Sequence, residues 1–179
     1  DIVGSSTIVG SDGAGGERLV PSHMRRVGSG AAMATVEQSD DRFALKDMAM
    51  LFTSIDGRQT VPRAETAAGQ RVIEAIPEAT ELHSDAQYFV SCIELQGAGR
   101  LQRSHGPNGD IWQDTYDAYD QWDQAGTKVV PKVAEHQSLE KVLTGELPLM
   151  PWVVNRLADL AAGLGAHFHQ PRPAVVRQY

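Results

Sequence analysis

Apolar residues recur at helical spacing in several stretches of the chain. Ala44, Met48, Leu51, Phe52 and Ile55 fall three to four residues apart, Asp40 and Asp41 suit the positive N-terminal end of a helix, and Gly57 supplies a stop. This pattern predicts a helix over 40–55. A second helix opens at Pro62 after the cap Thr60 and runs through Val72, Ile73 and Ile76 until Pro77 ends it. Gly69 weakens its middle by about 1 kcal/mol relative to Ala. The strongest stripe comes last: Pro151 in the first turn, then Val153, Val154, Leu157, Leu160, Ala161 and Leu164 on one face, with Gly163 and Gly165 near the end. A stripe of that width needs a partner to bury it.

Residues 87–95 satisfy two periods. Ala86, Phe89, Val90 and Ile93 fit a helix, while the β-branched and aromatic content fits a strand, and the strand is the preferred reading. Pro107, Asn108 and Gly109 form a turn, after which Asp110 and Gln113 resemble a capping box opening a helix to about Gln124. A short helix is expected over 138–143, with Gly145 behind it. The first 38 residues carry glycine at 4, 10, 13, 15, 16, 28 and 30 without any helical repeat, so they read as an extended arm. Two β-rich pieces in it, 6–9 and 18–20, are suited to adding to a neighbour's sheet edge. From Ala166, Pro171 and Pro173 predict an extended tail. The fold expected is mainly α, with α+β as the alternative. It comprises a glycine-rich arm at 1–38, a core at 39–165 of four to five helices and one strand pair, and an extended tail at 166–179.

Charge narrows the functions available. Sixteen Lys and Arg stand against 23 Asp and Glu, a net −7, which excludes a generalised polycationic surface for nucleic acid. Only a local basic spot such as Arg25 and Arg26, with His23, remains. Apolar runs such as 88–92 are far shorter than the roughly 20 residues a membrane-spanning helix needs. The single cysteine, Cys92, excludes an internal disulfide and any multi-cysteine metal site, favours a reducing compartment, and reads as a buried structural thiol. The chain starts at Asp1 without the basic start and apolar core of a secretion signal, which suggests a processed product or a piece of a longer polypeptide. Residues 19–24 also resemble a thrombin-site linker short of two residues.

The most distinctive stretch is 110–123. On a helix, Trp112, Tyr116, Tyr119 and Trp122 share an arc of roughly 120°, and Asp110, Asp114, Asp117 and Asp120 lie mostly opposite. Carboxylates three to four apart on a helix do not match a calcium loop, so the expected arrangement is a solvated acidic face backed by aromatic anchors. His167 and His169 alternate and could share a metal, but lack the further ligands a metal site requires, so no metal is expected there. The glycine-rich run 10–16 lacks the endings of a phosphate-binding loop, and no nucleophile elbow, zinc-protease helix or kinase motif set occurs.

These features predict a structural or assembly protein, most concretely a viral capsid component, in the virion or the cytoplasm and not membrane-spanning. Its arms would interlock with other protein subunits and its interface would comprise Trp112, Tyr116, Tyr119, Trp122, Arg25 and Arg26. No cofactor is expected, and nucleic acid is at most enclosed or weakly contacted. The alternative is a small hydrolase drawing on Asp114, Asp117, His105, His167 and His169, with or without a divalent metal.

Overall fold

The computed structural model describes residues 2–16, 20–21, 23–39, 42–77, 79, 81–124, 131 and 137–176. Its centre is a four-stranded sheet of β1 (Ile2–Ala14), β2 (Gly28–Ser39), β3 (Arg42–Ser54) and β4 (Glu81–Ser84), in the order β3-β2-β1-β4. The first three strands are antiparallel, and β4 runs parallel to β1. Helices α1 (Val61–Ala75), α2 (Gln87–Ile93), α3 (Ala98–Ser104), α4 (Gly109–Gln124), α5 (Leu139–Leu143), α6 (Leu149–His169) and α7 (Pro173–Val176) complete it. None of the described helices is long and apolar enough to cross a membrane.

This α+β architecture corrects the mainly α expectation. The glycine-rich stretch read as an arm supplies β1 and β2, two adjacent strands of the sheet, with Val9 and Ala34 fully buried. Its β-branched and small residues suit a half-buried pleat, and its glycines are there for close packing. The helix expected over 40–55 is instead β3. Met48, Met50 and Phe52 pair with Ala34, Ala32 and Gly30 on one face of the sheet, while Ala49 and Leu51 pair with Met33 and Ala31 on the other. A strand apolar on both faces reads as a continuous run, which also satisfies a helical period. The strand preferred over 87–95 is helix α2, whose Phe89, Cys92 and Ile93 are buried on one side. The tail expected to be extended from Ala166 continues α6 to His169 and then turns into α7. Helices α1, α4 and α5 lie within a residue or so of their expected positions, and α6 starts two residues earlier than predicted.

Alternation along the strands assigns the faces. Helix α6 packs on β1, β2 and β3, and α1 packs on the opposite face of β1 and β2, with α4 behind α1. A Cβ on Gly30 would lie 2.1 Å from the Ala162 backbone nitrogen and 2.3 Å from the Ala158 carbonyl oxygen, so helix and sheet backbones touch there. The matching face of α6 is reduced to Ala158, Ala161, Ala162 and Ala166, all buried. Because backbone cannot yield as a flexible side chain can, Gly30→Ala is expected to lower stability by at least about 1–3 kcal/mol, measured by chemical denaturation.

On the α1 side the core gathers Val9, Val72, Ile73, Leu82, Phe89, Ile93, Trp112, Tyr116 and Trp122. Trp112 is wholly buried; its ring stacks on Phe89 and Tyr116, and its Nε1 donates to the Tyr88 hydroxyl at 3.0 Å. The acids opposite face outward. Asp110 takes a two-bond fork from Arg63 at 2.8 and 2.6 Å, and Asp120 takes both its contacts from Arg100.

Candidate active site

Four carboxylates from four different elements line one open cavity of about 370 Å³: Asp12 on β1, Glu65 on α1, Asp85 just after β4 and Asp159 on α6. Gly13, Ala86, Gln87 and Tyr88 complete the lining. The fold places each acid for a local reason. Ser11 on β1 is the register partner of Ser84, the last residue of β4, so Asp12 and Asp85 each directly follow a paired residue, and paired strands lie roughly 4.8 Å apart. Gly13 lets α1 approach: a Cβ there would lie 2.5 Å from the Glu65 backbone nitrogen. Asp159 comes from the opposite face, on the helix whose alanines bring it down onto the sheet.

Crowding of like charge shows in the protonation of Asp12. Its carboxyl is pushed up to about 8, first by burial, then by the charge of Asp85, with smaller contributions from Asp159 and Glu65. The Gly13 N–H, donating to Asp12 Oδ1 at 2.7 Å, opposes the rise without cancelling it. Asp159 is held at its outer side by Arg156, 3.2 Å away. No three His, Cys, Asp or Glu side chains among the described residues converge into a ready-made metal cage. That arrangement still suits Mg²⁺, which keeps several waters and takes only one or two carboxylates plus substrate phosphate oxygens. Hard oxygen donors around a charge-crowded cavity are the donor set such a cation selects.

Beneath the carboxylates lie His83, on β4, and Asn155, on α6, both buried. Burial lowers the His83 pKa against the raising effect of its contact with Glu81, whose Oε2 is 2.8 Å from Nε2. Outside the cavity, a shallow basin of about 620 Å³ is lined by Gly57, Arg58, Arg63, His105 and Asn108, among others, where the loop before α1 meets the start of α4.

The residues singled out from sequence fall elsewhere. Trp112, Tyr116 and Trp122 are buried in this chain's own core, and Tyr119 packs partly buried against it. Arg25 and Arg26 lie in the connection between β1 and β2, where the Arg26 N–H donates to Gln170 at 3.1 Å. Asp114 and Asp117 sit on the outer side of α4, away from the quartet, beside a groove shared with Glu74. His167 and His169 occupy the exposed last turn of α6, and His105 caps α3. Cys92 is buried, and burial raises its thiol pKa.

The quartet itself went unread in the sequence, although two of its members carried a signal. Asp12 is the lone charge in residues 2–16, and Asp159 the lone acid in the apolar helix from 149 to 169. An isolated carboxylate within an apolar segment must be compensated once that segment is buried.

No protein-family model matches the chain, and no curated protein matches it in sequence. Solved structures match it in fold. The ribonuclease H domain of prototype foamy virus, solved in solution, is 11% identical with a TM-score of 0.57, over 92% of this chain and 96% of that one. LC9-RNase H1, described as a type 1 RNase H with the type 2 active-site motif, is 16% identical with a TM-score of 0.56, over 95% and 76%. The foamy viral protease-reverse transcriptase in complex with an RNA/DNA hybrid is 12% identical with a TM-score of 0.51, over 92% of this chain and 20% of that one. The chain thus spans about a fifth of that larger protein. These neighbours overturn the capsid reading, whose supposed arm and tail form two strands of the sheet and the end of a helix. The chain has the fold of ribonuclease H domains.

Proposed function

We propose that this chain is a divalent-cation-dependent nuclease domain that hydrolyses the phosphodiester backbone of a nucleic acid, with the RNA strand of an RNA/DNA hybrid as its substrate. The observation that carries this reading is the single cavity lined by Asp12, Glu65, Asp85 and Asp159. Divalent cations bound there supply Lewis-acid stabilisation of the phosphoryl oxygens and a water deprotonated near neutral pH. Asp12, Glu65, Asp85 and Asp159 would hold such cations through their carboxylate oxygens. In the hydrolysis, water oxygen bonds to phosphorus in line as the bond to the leaving ribose oxygen breaks, and that oxygen takes up a proton.

The net −7 charge is compatible with a polyanionic ligand because the contacts required are local. Arg58, Arg63 and His105 around the basin outside the cavity offer donors to backbone phosphates. Arg63 is already oriented by Asp110, which raises its pKa through their hydrogen bond, and its guanidinium keeps further N–H groups for a ligand. Nucleic-acid-bound neighbours add support, since the foamy viral protease-reverse transcriptase has been solved with double-stranded DNA and with an RNA/DNA hybrid.

The test is cleavage of end-labelled RNA/DNA hybrid, duplex RNA, duplex DNA and single-stranded RNA by the purified chain with Mg²⁺ or Mn²⁺. Cleavage of the hybrid's RNA strand, abolished by EDTA and restored by excess cation, is the expected result. Absence of any cation-dependent cleavage across these substrates would exclude the nuclease reading.

A further inference from the structure

We propose that strand β3 is the contact surface of a homodimer, in which two copies of this chain pair their β3 strands antiparallel about a twofold axis at Met50 and join their sheets into one. The strands that carry Asp12 and lead to Asp85 lie toward the opposite edge of the sheet, so this pairing leaves the carboxylate cavity open and stands independently of the nuclease reading.

β3 is the outermost strand, so one row of its backbone N–H and C=O groups has no strand partner among the described residues. A surface sheet normally buries one face, which leaves alternate residues covered. Here every residue from 44 to 52 is exposed, so neither helix layer covers either face along that stretch. Leu45, Met48, Met50, Leu51 and Phe52 are 41–55% exposed. Phe168 of α6, itself 65% exposed, stacks on Phe52 with ring centroids 5.6 Å apart and extends the patch. Half-exposed side chains of this size leave about 100 Å² each, so the patch is on the order of 600 Å², the upper end of what a monomer shows. The bare backbone edge adds to it, bringing the surface to the roughly 800 Å² that each partner contributes to a standard interface.

The distribution of charge along β3 selects a second copy as the occupant and sets the register. Exposed sheet edges are protected by charges, prolines and bulges. β3 has these near its middle, where Lys46 and Asp47 accompany a register shift opposite Thr35 and Val36, and Lys46 is held 2.9 Å from Glu37. From Met48 to Ser54 no charge, proline or bulge interrupts it. A twofold axis normal to the sheet sets residues of the same face opposite one another. Centred on Met50, it places Met50 against its own counterpart, Met48 against Phe52 and Ala49 against Leu51. Residues 48–52 then meet only apolar residues, and Asp47 falls opposite the polar Thr53. Moving the axis toward residue 47 sets Asp47 against apolar residues and finally against itself, a repulsive pair. Moving it to Leu51 sets Met48 and Ala49 against Ser54 and Thr53. An unrelated partner strand would require no such self-complementarity.

Analytical ultracentrifugation of the unaltered chain over a micromolar concentration series is expected to show a reversible equilibrium between monomer and dimer. Met50→Lys, which puts a charge at the centre of the edge, should weaken it at least about 100-fold while the chain still melts cooperatively. If that variant fails to fold, Met48→Lys carries the same comparison. In Met50→Cys the two thiols face each other across the axis, with Cα atoms roughly 4.5–5.5 Å apart as in any antiparallel pair, a separation a disulfide spans. Mild oxidation should therefore link this variant into a covalent dimer. Cys92 is buried, and Leu143→Cys, at a site on α5 that is 79% exposed, is the control that should stay unlinked. A chain that remains monomeric throughout, a dimer that survives the lysine variants unchanged, or one that links through Leu143→Cys and not through Met50→Cys would each overturn the inference.

Discussion

Asp12→Asn is expected to abolish cation-dependent cleavage, by at least about 10²–10³-fold in kcat, while leaving the fold and nucleic-acid binding in place. The change keeps the volume of the side chain and the Gly13 N–H contact, since an amide oxygen still accepts that bond at the position of Oδ1. What it removes is the anionic form, which the burial of Asp12 beside Asp85, Asp159 and Glu65 makes costly without a cation. The same substitution has a signature in stability. In the metal-free protein Asp12 keeps its proton up to about 8, whereas in the unfolded chain it ionises near 3.8. Between those values the folded state binds the extra proton, so stability falls as pH rises through the window, by up to about 1.4 kcal/mol per pH unit. Thermal melts from pH 4 to 8 without metal should show this decline, and Asp12→Asn should flatten it. Mg²⁺ should raise the melting temperature of the unaltered chain more at pH 8 than at pH 5, because cation and proton compete for one carboxylate. A pH-independent melting temperature in the unaltered protein would contradict the crowding of charge at this site.

Trp112→Ala is expected to cost about 3–5 kcal/mol, enough to leave much of the chain unfolded at ambient temperature. Its indole is wholly buried, stacked between Phe89 and Tyr116, and anchored through Nε1 to Tyr88. Removing it opens a cavity where α4 packs on α1 and α2, and leaves the Tyr88 hydroxyl with one fewer donor. Asp117, exposed on the other side of the same helix and hydrogen-bonded by Gln113, provides the control. Asp117→Asn should change stability by no more than about 0.5 kcal/mol and cleavage not at all. Circular dichroism melts of the two variants, side by side, check both. A strong loss of cleavage in a folded Asp117→Asn variant would move the chemistry from the quartet to the outer face of α4.

The helices that could be located from sequence are those whose apolar stripe has a single period and whose ends carry their own signals. Pro62 after Thr60 marks α1, Asp110 opens α4, and the stripe from Val153 to Leu164 belongs to α6; each is set by contacts within a turn or two of chain. The amphipathic division of α4 was legible for the same reason, and so was the burial of Cys92. The strands were not. In β1 and β2 Gly10, Gly28 and Gly30 stand where the α6 backbone comes closest to the sheet, so the pattern that looks like a loose arm includes a tight helix–sheet contact, which only the presence of α6 reveals. In β3, apolar residues on both faces imitate a helix, and only pairing with β2 resolves the ambiguity.

The carboxylate cavity lay further still from the sequence. Asp12, Glu65, Asp85 and Asp159 are separated by 53, 20 and 74 positions along the chain, and no spacing rule connects them. Their sequence signals were at best local: a lone charge in β1 and a lone acid in α6. What brings them together is the parallel register of β1 with β4, the bare Gly13 that admits α1, and the alanine face that lowers α6 onto the sheet. Local sequence thus determined α1, α4 and α6 and the apolar face of α4, because those are short-range consequences of side-chain period and capping, whereas it misassigned β3 and α2. The site was decided by tertiary structure, because a charge cluster exists only after distant segments have been packed side by side.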